Sequence, residues 1–290
     1  MRVAVVGSSG QLAHDLLQVL PQAEGGMECV GLPHAEVEVA DFASVEAALE
    51  RVRPEVVINT SAFHQLEACE ENPHQASEVN TRGAHNLALA CQARSVRLVH
   101  ISSDYVFSGA KGSPYEESDS PDPLNAYGAS KAAGEALVRE HCPQHIILRS
   151  SALYGVAGSS GKGGNFVQTM LRKARAGEEV RVVSDQVTSP TSTLALARQI
   201  AALLETPHVG TFHAVCHGAC SWYEFAAEIF CRTGIAANLQ QQTTSESGSR
   251  VSRPPYSVLR NARLEHLGLD RMPAWQDALA EYLAQLPSPS

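Results

Sequence analysis

The sequence predicts an α/β fold, a doubly wound parallel sheet followed by a smaller C-terminal α/β domain. Three observations predict it. Up to residue 150, short β-branched runs alternate with helical stretches, the signature of a parallel sheet covered on both faces. A glycine-containing turn joins the first such strand to the first helix. Beyond Tyr154 the alternation turns irregular, beginning with a glycine-rich loop over residues 155–164.

The elements follow in order. Residues 2–6 form a β-branched strand, and residues 11–20 an apolar-periodic helix. Residues 29–32 make a weak second strand. Residues 42–52 read as a helix with Val45, Leu49 and Val52 on one stripe, ended by Pro54. A buried strand over 55–58 and a long helical stretch over 73–94 come next. Residues 96–102 form a fourth strand, 124–141 a helix and 145–149 a fifth strand. Crossovers are expected to be right-handed. In the second half, helices are expected over 165–176 (apolar side Phe166, Met170 and Leu171), 191–204, 221–233, 261–267 and 275–286. Short strands are expected over 181–183 and 211–215. Ser221 and Glu224 are spaced as a capping box. Residues 243–253 are polar and irregular, 155–164 a flexible loop, and 287–290 a disordered tail.

A length of 290 residues with 44% hydrophobic content supports a large core. The net charge of −9 and a pI near 5.7 argue against non-specific nucleic-acid binding, which needs a basic surface. No apolar run approaches the roughly 18 residues needed to span a bilayer. The apolar start at residues 1–6 is too short for a signal peptide, so a cytoplasmic protein is expected. Seven cysteines without a Cys-x-x-Cys pair do not make a disulfide framework. His213, Cys216, His217 and Cys220 are close in sequence, but a strand and the Gly218 turn would scatter them, so no zinc site is expected. Mg2+ is allowed, but no motif asks for it.

The first turn reads Gly7-Ser-Ser-Gly10-Gln-Leu-Ala13. The glycines permit a tight turn and close approach to a pyrophosphate, and the helix N-terminus behind them offers N–H groups and a positive dipole end. This is a Rossmann-type pattern. It makes residues 1–154 a dinucleotide-binding domain and 155–290 mainly a substrate-binding one, with about 181–205 packing back on the first. Ser9, Gln11 and Leu12 are candidate cofactor contacts alongside the glycines. Residues 30–34 hold neither an acid nor an arginine, so NADH is not demanded and NADPH is somewhat favoured. Asp41 can reach the adenine, with Phe42 beside it, or cap the helix that starts at Phe42.

Tyr127 and Lys131 lie four apart on a predicted helix, with Cβ atoms about 5–6 Å apart. A free phenol has a pKa of about 10. A neighbouring ammonium is expected to favour the phenolate and make the tyrosine a usable proton carrier. Ser103, at the end of the fourth strand, could hold a carbonyl oxygen between itself and the phenol.

These three residues and the glycine turn resemble the extended short-chain dehydrogenase/reductase superfamily. Ser102-Ser-Asp-Tyr-Val-Phe107-Ser-Gly, Asn165-Phe-Val-Gln-Thr-Met170, Asp185-Gln-Val-Thr-Ser-Pro190-Thr, Ser221-Trp-Tyr-Glu-Phe225-Ala and Arg253-Pro-x-x-Ser257 narrow the resemblance to the dTDP-4-dehydrorhamnose reductase family. It runs from the first strand to the last helix. It implies NAD(P)H-dependent reduction of the C4 ketone of a nucleotide-linked 4-keto-6-deoxy sugar. Tyr127 would give a proton to the new alkoxide, Lys131 would hold the nicotinamide ribose, and Ser103 would bind the ketone oxygen. Ser61, Ala62 and Phe63 would flank the nicotinamide. Asp104, Tyr105, Phe107, Asn165 and Arg253 are the substrate candidates, although Tyr105 and Phe107 read equally as core aromatics. Lys162 and Arg260 are further candidate cations for a diphosphate. Related dehydratases carry a second acid after Asp104, where this chain has Tyr105; that favours plain reduction. Ala152 stands where the family commonly has a tryptophan lining the sugar site. A homodimer is compatible with the resemblance. So are two other roles: an NADP-binding regulatory subunit like the β-subunit of methionine adenosyltransferase, and a sugar-nucleotide epimerase.

Overall fold

The computed structural model describes residues 1–158 and 163–286. The expected tail at 287–290, and Lys162 within the glycine loop, lie outside them.

The chain runs β1 (Arg2–Val6), α1 (Gln11–Val19), β2 (Glu28–Leu32), α2 (Phe42–Val52), β3 (Val56–Asn59), α3 (Leu66–Glu71), α4 (Pro73–Ser77), α5 (Gly83–Ala93), β4 (Arg97–Ser103), α6 (Ala126–His141) and β5 (His145–Ser150). It continues through β6 (Leu153–Tyr154), α7 (Phe166–Arg175), β7 (Glu179–Val183), β8 (Val187–Thr188), β9 (Thr191–Ser192), α8 (Thr193–Leu204) and β10 (Gly210–His213). It ends with β11 (Cys220–Ser221), α9 (Trp222–Thr233), β12 (Asn238–Gln242), α10 (Ala262–His266) and α11 (Trp275–Gln285).

Six strands form one parallel sheet in the order β10-β5-β4-β3-β1-β2. Chain direction across the sheet reverses between β1 and β3. This switch point opens a crevice at the carboxyl ends of the strands, where α/β sheets bind ligands. Each face has its own core. On one, Leu12 and Leu16 of α1 pack with Leu196 and Ile200 of α8 against Val3, Val5 and Ile58. On the other, Val45 and Leu49 of α2 and Leu87 of α5 pack against Ala4, Val57 and Ile147. Residues 193–213 therefore add a helix and an edge strand to the sheet built by the first half.

A separate apolar cluster joins α7, β7, α9 and α11 through Val167, Val180, Phe225, Ile229 and Leu279. Asn165 and Gln168 form a capping box on α7, and Ser221 and Glu224 one on α9.

Three expectations differ from the structure. The stretch 73–94 is not one helix, because residues 78–82 widen into a π turn between α4 and α5. Helix α3 was not expected; its six residues are too few for a periodic signal. Strand β12, Asn-Leu-Gln-Gln-Gln, lacks β-branched residues and is fixed by its five-residue parallel pairing with β7.

Candidate active site

The carboxyl ends of β1, β3, β4 and β5 converge on a cavity of about 880 Å³. Its remaining wall comes from the C-terminal cluster, including Phe166, Met170, Arg181 and Trp222.

Gly7, Ser9, Gly10, Gln11 and Leu12 all line it. Gly7 has φ +81°, and a Cβ there would lie 2.8 Å from the Ser61 backbone nitrogen. Only glycine suits that backbone so close to its neighbour. Gly10, which begins α1, makes no side-chain cap, so the first N–H groups of the helix remain available to an anion. Gln11 ties the turn to the C-terminal half: its Nε2 donates to the Leu153 carbonyl at 3.1 Å, and its Oε1 accepts from the Gly155 N–H at 3.1 Å. These features fit a dinucleotide pyrophosphate.

Ser61, Ala62 and Phe63 also line the cavity. Asn80 holds Phe63 from behind: its Oδ1 accepts from the Phe63 N–H at 2.9 Å, and its Nδ2 donates to the Phe63 carbonyl at 2.8 Å and to Ser130 Oγ at 2.9 Å. Asp41 and Phe42 are absent from the lining. The Asp41 side chain caps α2 by accepting from the Ala43 N–H at 3.0 Å, and Phe42 is exposed. The wall at that end is instead His34, Val37, Glu38 and Val39. His34 ends the 30–34 stretch read for cofactor preference, but sequence reading overlooked Val37, Glu38 and Val39, because the loop they occupy carries no motif.

Ser103, Tyr127 and Lys131 meet at the centre. Ser103 ends β4, and its Oγ donates to Asp104 Oδ1 at 3.0 Å and accepts from the Tyr105 N–H at 3.2 Å. Tyr127 lines the cavity beside Ser103, near enough for the hydroxyl to act on the phenol's pKa. Asn125 caps α6 by accepting from the Gly128 N–H at 2.8 Å, which sets where the helix starts. Gly128 then lets α6 press on the loop after β4, since a Cβ there would fall 2.1 Å from the Tyr105 carbonyl oxygen. That contact brings the phenol to Ser103.

The expectation that Lys131 lowers the phenol's pKa is not met. Burial raises the Tyr127 phenol above its ordinary value, and the Ser103 hydroxyl only partly opposes this. Lys131 instead faces β4, where Nζ donates to the Ile101 carbonyl at 2.6 Å and lies 3.3 Å from His100 Nε2. Burial lowers its own pKa to about 8, with Glu135 opposing. A phenol so raised stays protonated across the neutral range, which is the form an acid needs.

Asp104 is a buried organiser. Its Oδ2 accepts from Ser151 Oγ at 2.8 Å, and the Ser257 hydroxyl lies near enough to act on its pKa. Burial raises its pKa, and the serine hydroxyls oppose the shift. Tyr105 lines the cavity and meets the Tyr127 ring edge-on at 5.9 Å. Phe107 does not line it: the ring is fully buried, stacked on Tyr115 at 4.2 Å, with the Arg149 guanidinium 5.0 Å from its centre. Of its two readings, core aromatic is the one realised. Asn165 reaches the wall, but its Oδ1 caps α7 and its Nδ2 donates to the Gly155 carbonyl at 2.8 Å. Ala152, also in the wall, sits at φ +45°.

Arg253 lines the cavity and pairs with Glu67 at 2.9 Å, and its buried Nε has no hydrogen-bond partner. Arg260 lies elsewhere, paired with Glu116 and Glu265. Arg181 is a lining cation that sequence reading missed. His213 Nδ1 is 3.1 Å from the carbonyls of Tyr115 and Arg260, while His217 pairs with Asp270. Among the described residues no group of His, Cys, Asp or Glu side chains is placed to hold a metal, and no helix is long and apolar enough to cross a membrane.

The family model described as RmlD substrate binding domain matches residues 1–288. The spore coat polysaccharide biosynthesis protein SpsK of Bacillus subtilis is 40% identical, over 98% of this chain and 97% of that protein. A dTDP-4-keto-6-deoxy-D-glucose reductase of Streptomyces niveus is 35% identical, over 97% of this chain and 96% of that protein. The crystal structure of a Bacillus anthracis dTDP-4-dehydrorhamnose reductase in complex with NADP is 35% identical and superposes with a TM-score of 0.93, covering 98% of this chain and 99% of that one. With sequence and backbone shared from end to end, this chain belongs to the dTDP-4-dehydrorhamnose reductase family and is an NAD(P)-dependent oxidoreductase.

Proposed function

We propose that the chain reduces the C4 ketone of a nucleotide-linked 4-keto-6-deoxy sugar, with dTDP-4-dehydro-rhamnose going to dTDP-L-rhamnose as the first candidate. The observation that carries this reading is the convergence of Ser103, Tyr127 and Lys131 in one cavity with the Gly7–Gly10 turn. A bound NAD(P)H supplies the hydride. Gly7, Ser9, Gly10, Gln11 and Leu12 cradle its pyrophosphate, and Ser61, Ala62 and Phe63 flank its nicotinamide. Ser103 turns its hydroxyl from Asp104 to donate to the ketone oxygen when the substrate binds. Tyr127, kept protonated by its burial, gives its proton to the oxygen as negative charge develops there. Lys131 holds the ribose. NADPH is the favoured cofactor, because the Bacillus anthracis relative is in complex with NADP.

The substrate's sugar lies beside Tyr105 and Ala152. Phe166, Trp222 and Phe225 give the cavity an aromatic wall suited to a nucleobase. Arg253, which lines the cavity beside Tyr105, binds the diphosphate. Arg253→Ala should raise the KM for the sugar nucleotide about tenfold or more, the size of one lost charged hydrogen bond, with kcat nearly kept. An unchanged KM would remove Arg253 from the site.

A screen of 4-keto-6-deoxy sugar nucleotides with NADPH and NADH in parallel tests the function. Oxidation of the nucleotide with stoichiometric hydroxyl product is expected. Binding of NADPH without turnover on any of these sugars would overturn the reductase reading in favour of a regulatory subunit.

A further inference from the structure

A chain of hydrogen bonds leads from the cofactor wall to the back of Lys131, and each link has a forced direction. The Ser61 backbone N–H donates to Asn59 Oδ1 at 3.0 Å, and Ser61 Oγ donates to the same oxygen at 2.6 Å. A backbone N–H can only donate, so the Asn59 oxygen must face Ser61 and its NH2 must face away. That NH2 lies 3.1 Å from His100 Nδ1. It too can only donate, so Nδ1 accepts. A neutral imidazole whose Nδ1 accepts carries its hydrogen on Nε2. Nε2 lies 3.3 Å from Lys131 Nζ. An ammonium here would set N–H against N–H, whereas a neutral amine offers a lone pair to Nε2 while still donating to the Ile101 carbonyl.

We propose that Asn59 and His100 are positioning residues that set the polarity of this chain, present an N–H to the Lys131 side chain and so favour its uncharged amine. Asn59, His100 and Lys131 are 2%, 1% and 1% exposed, so water does not screen the contact. The other groups facing this cluster do not reverse it. Glu135, one turn along α6, favours the ammonium, but its carboxylate is taken up by Arg149 and Arg139. His145 on β5 lies nearby, and burial lowers its own pKa and favours the neutral ring, so it offers Lys131 no opposing charge. Tyr127, on the same helix, is held as the neutral phenol by burial. The lysine is then a group that exchanges a proton during the working pH range rather than a fixed cation.

The chain contains four lysines, so lysine labelled with 13C at Cε gives a spectrum simple enough to titrate. The measurement uses the full protein without cofactor, and Lys131→Arg assigns the signal. Lys131 is expected to titrate near pH 8. In Asn59→Asp the carboxylate accepts from Nδ1, moves the hydrogen off Nε2 and turns that nitrogen into an acceptor for ammonium. The midpoint should rise by at least about one pH unit. In a His100→Met background the same substitution should lose most of that rise. His100→Gln keeps the donor order, accepting from Asn59 and donating to Lys131, and should hold the midpoint near the parent value, whereas His100→Met alone should raise it. That last comparison decides the matter if Asn59→Asp does not fold. A wild-type midpoint near the ordinary lysine value, or an Asn59→Asp shift of equal size with and without His100, would overturn the proposal. It rests on the reductase reading only for turnover, where the alkaline loss of kcat should follow the same titration. An inactive protein with this titration intact would leave the inference standing and overturn the other reading.

Discussion

Tyr127→Phe is expected to lower turnover by at least about a hundredfold, the usual size of general acid catalysis. Phenylalanine keeps the ring, and with it the edge-on contact with Tyr105. The helix start, set by Asn125 and the Gly128 contact, does not involve the phenol oxygen. What disappears is the proton and the phenol oxygen beside Ser103. Dinucleotide affinity, followed by fluorescence titration, should change little, because the Gly7 turn and the start of α1 are untouched. The loss should therefore appear in kcat. Turnover within tenfold of the parent would mean that another group supplies the proton.

Glu135→Ala is expected to have the largest effect on stability, about 3–5 kcal/mol, the size seen when one partner leaves a buried ion pair. Arg149 is 2% exposed and grips Glu135 through Nε at 2.9 Å and Nη2 at 2.7 Å. Without the carboxylate, a guanidinium remains inside the protein, with the Phe107 ring and His213 Nε2 as neighbours. Arg139→Ala is the control. That side chain is 39% exposed and reaches Glu135 at 3.3 Å, so its loss should cost under about 1 kcal/mol. Urea unfolding of both variants measures the difference. The pH dependence has a definite sign. Burial pushes the Glu135 carboxyl up, but the Arg149 hydrogen bonds and charge, with Ser102 and Arg139, hold it below its ordinary value. A depressed acid stabilises the fold above its unfolded pKa, and that stability is lost as pH falls through the folded value. The parent should thus lose more stability on acidification than Glu135→Gln. Equal acid sensitivity would show that the pair is not the group titrating.

Much of the fold and part of the candidate site were legible in the sequence, for a reason visible at particular residues. Gly7, Gly10, Asn125, Tyr127 and Lys131 act through local geometry: a turn, a cap, a helix spacing. Local geometry leaves a local pattern. Asn80 acts across 17 residues on Phe63 and across 50 on Ser130. In sequence it is one polar residue inside an apparent helix, and the π turn around it is what broke the expected 73–94 helix. His100 is similar, since a histidine in the middle of a buried strand reads as core until its partners are seen. The direction in which Lys131 faces was illegible for the same reason. Phe107 and Asp41 show the reverse error, in which residues inside or near a recognisable motif serve packing and capping while less conspicuous neighbours line the cavity.

The edge strand β10 has a consequence for how the protein is made. Synthesis delivers β1 to β5 first, with the reacting groups already among them. At that stage β5, buried along all six residues in the finished protein, still has one unpaired edge, and the face holding Val3, Val5 and Ile58 lacks Leu196 and Ile200. Both are covered only when residues 193–213 emerge. Between those moments the nascent chain presents an open strand beside bare apolar surface, the combination that invites association with a neighbour. Delaying the emergence of residues 193–213 from the ribosome should lengthen that exposure, whereas a delay after they have emerged falls once the sheet is covered.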